Sequence, residues 1–256
     1  MNRIKALFLK KPNNILSIFT TAGFPNMDSL PILLKVLQDE GVDMVEIGMP
    51  FSDPTADGPT IQYSNTIAID NGMTLDTLFN QLQNIRDQID IPLILMGYLN
   101  PVMQFGIENF VQHCATVGID GVIIPDLPLH EYNTLYKDYF EKYDIKNIFL
   151  ITPQTSNERI INIDNISDAF IYAVSTYSIT GSDVNFSTQQ DLYFNRINEL
   201  HLKNPIIMGF GIRDKETLHY AYEHTQGGII GSAFVKHIEK SNNLPESVHQ
   251  FITALQ

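Results

Sequence analysis

The sequence is poor in cysteine and in basic residues, and it has no long apolar run. Cys114 is the one cysteine among 256 residues, which excludes an intrachain disulfide and a cysteine-rich metal site. The seven histidines are scattered with no pair at ligand spacing, so no metal site is predicted. No stretch approaches the roughly 20 apolar residues of a membrane span, and the start, MNRIKALFLKKP, lacks the apolar segment of a signal peptide. These absences favour a cytoplasmic protein.

The shortage of basic residues makes the chain strongly acidic. Lysine and arginine number 16 against 29 aspartates and glutamates, so the formal net charge is −13. Such a surface repels nucleic acids and anionic membranes, and neither is expected as a partner. It also repels a phosphorylated metabolite at long range, so a phosphate site would have to be built locally.

Short, nearly continuous apolar runs recur along the chain, as is typical of parallel strands that are covered on both faces. Eight such runs are present, at 15–19, 42–47, 91–95, 122–124, 148–151, 170–174, 206–208 and 229–230. Between them lie apolar residues at helical spacing, for example over 30–37 behind a candidate cap at Asp28, over 75–85 and over 132–140. The helices near 157–163 and 188–202 have weaker patterns.

Eight strand–helix units in about 250 residues predict a single (βα)8 barrel domain over 1–256, with an extra N-terminal helix. A doubly wound sheet is the alternative fold. It would normally have fewer strands and a glycine-rich phosphate loop after the first strand, whereas that strand ends in TTAGFP.

Acidic residues cluster after the second strand, in EIGMPFSDPTADGP. Glu46 lies inside the apolar run, where a carboxylate is costly unless it is paired or protonated. It is either a polar residue satisfied by backbone or water, or a proton donor and acceptor whose pKa is raised by burial. Asp53 is best explained as a turn residue. Asp57 precedes Gly58, and Pro59 is predicted to start the next helix, so the loop returns Asp57 over the barrel mouth.

Glycine turns follow the seventh and eighth strands, in GFGIRD and GGIIGSAF. Glycine lets the backbone approach an anion, and many barrels bind phosphate at these two strand ends. Gly211, Gly231 and Ser232 are the candidate donors. Tyr172 lies in the sixth strand, and the polar segment after that strand is either a lid or an ordinary flexible loop.

The motifs EIGMPFSDPTADGPTIQ, MGYLNPV, IPDLP, MGFGIRD and GGIIGSAFVK resemble the tryptophan synthase alpha chain family in order and spacing, from about residue 19 to 236. The resemblance implies a TIM barrel that cleaves indole-3-glycerol phosphate to indole and glyceraldehyde 3-phosphate. It implies no metal or organic cofactor in this chain. It also implies a beta subunit that holds pyridoxal phosphate, in an α2β2 tetramer.

The resemblance also assigns residues. Glu46 corresponds to the family's catalytic glutamate, which transfers protons, and Asp57 to its catalytic aspartate, which accepts the ring N–H. The implied substrate-binding residues are Phe19, Met96, Ile151, Tyr172, Phe210 and Ile230 around the indole, with Thr180 beside them, and Gly181, Phe210, Gly211, Ile212, Gly231 and Ser232 around the phosphate.

One position departs from the family. The loop STYSITG has Ser178 where a glycine is common, and serine is costlier in a left-handed conformation. This departure concerns closure of the loop and its coupling to the beta subunit, and not the residues assigned to the chemistry.

Two other functions remain open from the residues alone. An isomerase that abstracts a proton beside a carbonyl would also use a strand-end carboxylate, but the apolar pocket suits an aromatic ring better than a bare sugar phosphate. A non-catalytic binding subunit would have no reason to keep a costly buried acid such as Glu46.

Overall fold

The computed structural model describes residues 1–175 and 186–256, and the side chains of 186–188 are not described. The strands are β1 (Ile15–Thr21), β2 (Met44–Gly48), β3 (Leu93–Met96), β4 (Gly121–Ile123), β5 (Lys146–Ile148), β6 (Leu150–Ile151), β7 (Ile171–Val174), β8 (Ile206–Gly209) and β9 (Gly227–Ile230). The helices are α1 (Arg3–Lys10), α2 (Ser29–Asp39), α3 (Pro59–Asp70), α4 (Leu75–Leu82), α5 (Leu99–Phe105), α6 (Ile107–Val117), α7 (Leu129–Glu131), α8 (Lys137–Lys142), α9 (Asn157–Ile166), α10 (Phe186–Glu199), α11 (Lys215–His224), α12 (Ser232–Ile238) and α13 (Leu244–Leu255).

All strand pairs are parallel, and they form one sheet in the order β5-β4-β3-β2-β1-β9-β8-β7-β6. The two ends of this order are consecutive in the chain. The segment 146–151 pairs with β4 through its first half and with β7 through its second half, and Phe149 lies between them. The carbonyl of Phe149 accepts the N–H of Tyr172 at 2.9 Å. The sheet therefore closes on itself, and the nine strands occupy eight positions of a barrel.

This architecture confirms the predicted eight-position α/β barrel. Each apolar run coincides with a strand, with ends that differ by at most two residues. The run at 148–151 differs from the others because it spans two strands, covering the end of β5 and all of β6. The break was not visible in the sequence, since it reflects a change of hydrogen-bonding partner and not a change of hydrophobicity.

The helix predicted over 132–140 is present, but its regular apolar stripe is wrong at one position. Tyr132 and Phe140 are buried, whereas Leu135 is 59% exposed. The segment Tyr132–Tyr136 forms a π-helical turn, which has more residues per turn than an α-helix and so rotates Leu135 away from the core. Asp28 lies at the N-cap position of α2, but its side chain makes no capping hydrogen bond.

The predicted N-terminal helix α1 packs at the end of the barrel where the strands begin. The Asn2 side chain donates to the carbonyls of Asp120 and Asp144 at 2.9 and 3.0 Å. The fully buried Ile4 approaches Gly121 closely, since a Cβ at that glycine would be 3.0 Å from Ile4 Cδ1. The N-terminal end is thus filled by side chains, and the opposite end is left for a cavity. Within the ranges described, no helix has the length and apolar character that crossing a membrane requires.

Candidate active site

A cavity of about 280 Å³ opens at the C-terminal ends of the strands. It is lined by Phe19, Glu46, Asp57, Ile61, Met96, Tyr172, Phe210, Gly211, Ile212, Arg213, Ile229, Gly231, Ser232 and Ala233. These residues come from five strands, β1, β2, β3, β7 and β9, and from the segments that follow β2, β8 and β9. This is the end of a barrel at which enzyme sites are built.

The floor of the cavity is formed by side chains that point into the barrel. In the strand register Phe19 of β1 lies beside Glu46 of β2, which in turn lies beside Ile94 of β3. Two glycines make room for aromatic rings here. A Cβ at Gly48 would be 2.5 Å from the Phe19 ring, and one at Gly209 would be about 2.1 Å from the Tyr172 ring. Both rings can therefore cross the barrel interior only because these positions have no side chain.

Glu46 is fully buried, and neither of its carboxyl oxygens has a hydrogen-bond partner among the described residues. Burial without a compensating charge disfavours the carboxylate form. It raises the pKa of Glu46 from 4.5 to about 8. Glu46 is consequently a neutral acid at pH 7 that faces the cavity, and it has a proton available for transfer.

Asp57 lines the same cavity from the loop before α3, in a different environment. Its carboxylate accepts a hydrogen bond from the Tyr98 hydroxyl at 3.0 Å, and the same hydroxyl accepts the N–H of Ala56 at 3.0 Å. Burial raises the pKa of Asp57, and the bond from Tyr98 opposes that rise. The two carboxyl groups therefore differ in hydrogen bonding. Asp57 has a donor that stabilises its charged form, and Glu46 has none among the described residues.

Tyr98 connects the loop to the barrel. Its side chain is 8% exposed, and its ring lies 5.2 Å from that of Phe51. Through one hydroxyl it holds the backbone at Ala56 and the carboxylate of Asp57. These two hydrogen bonds tie the Asp57 carboxylate and the adjoining main chain to the segment after β3.

Replacing Tyr98 by phenylalanine should therefore weaken the site without unfolding it. We expect kcat/KM for the reaction proposed below to fall about 10-fold, which is the scale of one hydrogen bond to a charged group. Because the opposing bond is lost, the pKa of Asp57 rises, and the acidic limb of the pH–rate profile moves to higher pH. Tyr63→Phe removes an exposed tyrosine hydroxyl on α3 and is the control. An unchanged acidic limb in Tyr98→Phe would contradict this role.

Two turns contribute a further part of the cavity lining. After β8, Phe210 and Gly211 both have positive φ, at 65° and 78°. The Ser175 hydroxyl donates to the carbonyl of Phe210, which stabilises this unusual turn. After β9, Gly231 precedes α12, and no side chain caps the N-terminus of that helix. The main-chain N–H groups of its first turn are therefore not taken by a capping side chain.

The structure brings ten of the fourteen predicted site residues to this one cavity. Ile151 and Ile230 are fully buried and do not belong to the lining described above. Ile229 lies there instead of Ile230. It pairs with Ser17, two residues from Phe19, and so faces the same side of the sheet. Thr180, Gly181 and Ser178 lie outside the described residues.

Several lining residues were not predicted: Ile61, Arg213, Ile229 and Ala233, together with Tyr98 behind Asp57. A signal existed for Ile229. It lies two residues before Gly231, and side chains two apart in a strand face the same way. No local pattern could have indicated Tyr98, which is 41 residues from Asp57 in the chain.

A closed parallel barrel with two unequal carboxyl groups and two glycine turns around one cavity defines an enzyme of the (βα)8 class. The family model described as tryptophan synthase alpha chain matches residues 6–256. The tryptophan synthase alpha chain of Flavobacterium johnsoniae is 55% identical over 243 residues, covering 95% of this chain and 96% of that relative. That of Flavobacterium psychrophilum is 52% identical over 255 residues, covering 100% of both.

Solved structures agree with this relationship. Tryptophan synthase subunit alpha from Legionella pneumophila superposes with a TM-score of 0.89 at 29% identity, covering 100% of this chain and 97% of that one. The chain belongs to the tryptophan synthase alpha chain family. It is a lyase subunit of tryptophan biosynthesis that cleaves indole-3-glycerol phosphate and has a beta subunit as its partner. The predicted family, fold class and reaction are confirmed.

Proposed function

We propose that Glu46 and Asp57 carry out the cleavage of indole-3-glycerol phosphate in the cavity described above. The observation that carries this proposal is the state of Glu46, a fully buried carboxyl group with no hydrogen-bond partner among the described residues. An acid kept neutral near pH 7 is suited to protonating carbon, and burial supplies that property here.

The proposed reaction moves one proton from a hydroxyl to a carbon. Glu46 donates its proton to C3 of the indole ring, which gives a cation with its charge on the ring nitrogen. The resulting Glu46 carboxylate takes the proton of the hydroxyl next to the ring. The C–C bond then breaks, an aldehyde forms, and the bonding electrons return to the ring to release neutral indole. Glu46 ends the cycle protonated, as it began.

Asp57 is proposed to act on the ring nitrogen. As a carboxylate it accepts the indole N–H, and its negative charge stabilises the cation that forms when C3 is protonated. Tyr98 supports this role because it donates to Asp57 and favours the charged form. The two acids thus contribute different functions, set by their surroundings.

The rest of the substrate is placed by other residues of the cavity lining. The apolar side chains of Phe19, Met96 and Ile229 suit a flat aromatic ring. The phosphate is proposed to lie at the glycine turns, where main-chain N–H groups near Gly211 and Gly231 provide local donors. Roles for Tyr172, Thr180, Gly181 and Ile212 follow from the family resemblance.

The proposal extends to the assembly. The 256 residues would act as one domain and join a beta subunit in an α2β2 tetramer in the cytoplasm. Pyridoxal phosphate would be held by that beta subunit, and no cofactor by this chain. Indole released in the cavity would then be consumed by the partner.

Release of indole is the direct test. Indole-3-glycerol phosphate is added to the purified chain, alone and with a cognate beta subunit, and indole and glyceraldehyde 3-phosphate are measured. We expect slow release by the chain alone and a large increase with the partner. An increase that fails to appear would point to the loop around Ser178. Absence of release under both conditions, from a chain shown to be folded, would overturn the proposal.

A further inference from the structure

Arg213 is the one basic residue in the described lining of the cavity. It follows the turn after β8, next to Gly211 and Ile212, and so comes from a different strand end than Glu46 and Asp57. Its main chain is fixed, because its N–H donates to the Thr217 hydroxyl at 3.0 Å. Its side chain is 76% exposed.

The Arg213 guanidinium has only a weak contact within the described part of the chain. Its Nε lies 3.4 Å from Asp214 Oδ2. The other oxygen of Asp214 is engaged in capping α11, where Oδ1 accepts the N–H and hydroxyl of Thr217 at 2.9 and 2.7 Å. A long and exposed ion pair of this kind is readily exchanged for a better anion, because water screens both partners.

The negative charge of the whole molecule makes a basic residue in the cavity lining relevant to the binding of an anionic substrate. The chain carries a net charge of −13, and the cavity itself contains two carboxyl groups. Main-chain N–H groups offer only partial charges to a phosphate dianion. A guanidinium adds a full positive charge and two parallel N–H donors that match phosphate geometry.

We propose that Arg213 binds the phosphate group of the substrate at the mouth of the cavity, beside the main-chain donors of the two glycine turns. This inference rests on the proposed function, since it places the phosphate at that end. It assigns to a side chain a task that the glycine turns would otherwise perform alone. It also explains how a strongly acidic subunit attracts a dianionic substrate to one particular rim.

The test compares two substitutions that change the net charge equally. Arg213→Gln removes the basic residue of the cavity lining, and Lys215→Gln removes a cation two residues away that does not line the cavity and instead donates to the carbonyl of Gln256. Two ligands are used with each variant: indole-3-propanol phosphate, and indole-3-propanol, which lacks the phosphate. Dissociation constants are measured by calorimetry, and kcat and KM are measured for indole-3-glycerol phosphate.

We expect Arg213→Gln to weaken binding of indole-3-propanol phosphate about 10-fold, on the scale of one charge-assisted hydrogen bond. Binding of indole-3-propanol should stay the same, KM should rise, and kcat should change little. Arg213→Lys should retain part of the affinity. Lys215→Gln should match the wild type in every measurement.

Equal weakening by Arg213→Gln and Lys215→Gln would overturn the inference, because it would indicate a general charge effect. Equal weakening of both ligands would also overturn it, because it would indicate a change of cavity shape. The proposed function fails separately, if the wild-type chain releases no indole. A wild type that releases indole while Arg213→Gln binds both ligands normally would leave that function standing and reject only Arg213.

Discussion

Glu46→Gln is expected to abolish turnover while it leaves the barrel folded and more stable at neutral pH. Glutamine has the shape of a protonated glutamate but cannot give up a proton. Loss of a positioned acid–base group costs about 10²- to 10⁴-fold in rate. Indole release with a cognate beta subunit is the measurement, and circular dichroism confirms the fold. Near-normal turnover would remove Glu46 from the mechanism.

The same variant should lose activity but gain stability relative to the wild type at neutral pH. In the folded chain the pKa of Glu46 is about 8, against 4.5 for the unfolded reference. Between these values the unfolded chain loses its proton while the folded chain keeps it, so the free energy of unfolding falls as pH rises. The decrease is about 1.4 kcal/mol per pH unit, or roughly 5 kcal/mol from pH 4.5 to 8. Glutamine does not ionise and escapes this loss.

Denaturant unfolding at several pH values measures this difference. The stability of Glu46→Gln minus that of the wild type should be small at pH 4.5 and grow towards pH 8. Asp164→Asn is the contrasting control, because Asp164 is a buried acid whose oxygens accept the N–H groups of Lys203 and Asn204 at 3.1 and 3.0 Å. That substitution should destabilise the chain. A stability difference for Glu46→Gln that does not vary with pH would contradict the burial argument.

The alkaline limb of the pH–rate profile provides a second measurement of the ionisation of Glu46. The proposed cycle starts from protonated Glu46, so kcat/KM should fall above about pH 8. Function and stability are thus opposed at this residue. In the proposed mechanism, the burial that lowers stability at neutral pH also provides the proton that the reaction needs.

The sequence carried most of the fold because hydrophobic patterning is local. Continuous apolar runs identify buried parallel strands wherever they lie, and eight of them leave few architectures open. Two features were missed for different reasons. The division of 146–151 depends on which distant strand supplies each hydrogen bond. The π-helical turn at Tyr132–Tyr136 is local, but it departs from the 3.6-residue period that a helical stripe assumes.

Some features of the site were likewise visible in the sequence, and others became visible only in the structure. An acid inside an apolar run is conspicuous, so Glu46 stands out from the residue pattern alone. The role of Gly48 and Gly209 does not, because it lies in the space they leave for the rings of Phe19 and Tyr172. Ile229 lies in the cavity lining and the predicted Ile230 does not, because neighbours in a strand face opposite sides of the sheet.

Asp57→Asn is expected to reduce kcat by about 10²- to 10⁴-fold, with a much smaller effect on KM. A charge that stabilises the transition state and contributes little to ground-state binding affects kcat selectively. Asp53→Asn is the matched control. It removes the same charge from the same loop, but Asp53 is exposed, bonds to Ser52 and does not line the cavity. Similar losses of kcat in the two variants would indicate that Asp57 acts only through its contribution to the negative charge of the loop.

The substrate can be altered to test whether Asp57 acts on the ring nitrogen. A substrate methylated at that nitrogen has no N–H to donate, so the wild type should lose much of its rate on it. In Asp57→Asn the carboxylate is already absent, and methylation should cost far less, because the two changes remove one interaction. Any steric cost of the methyl group is common to both enzymes and cancels in the comparison. Equal penalties in wild type and variant would show that Asp57 does not meet the indole nitrogen, and its bond to Tyr98 would then serve only to shape the loop.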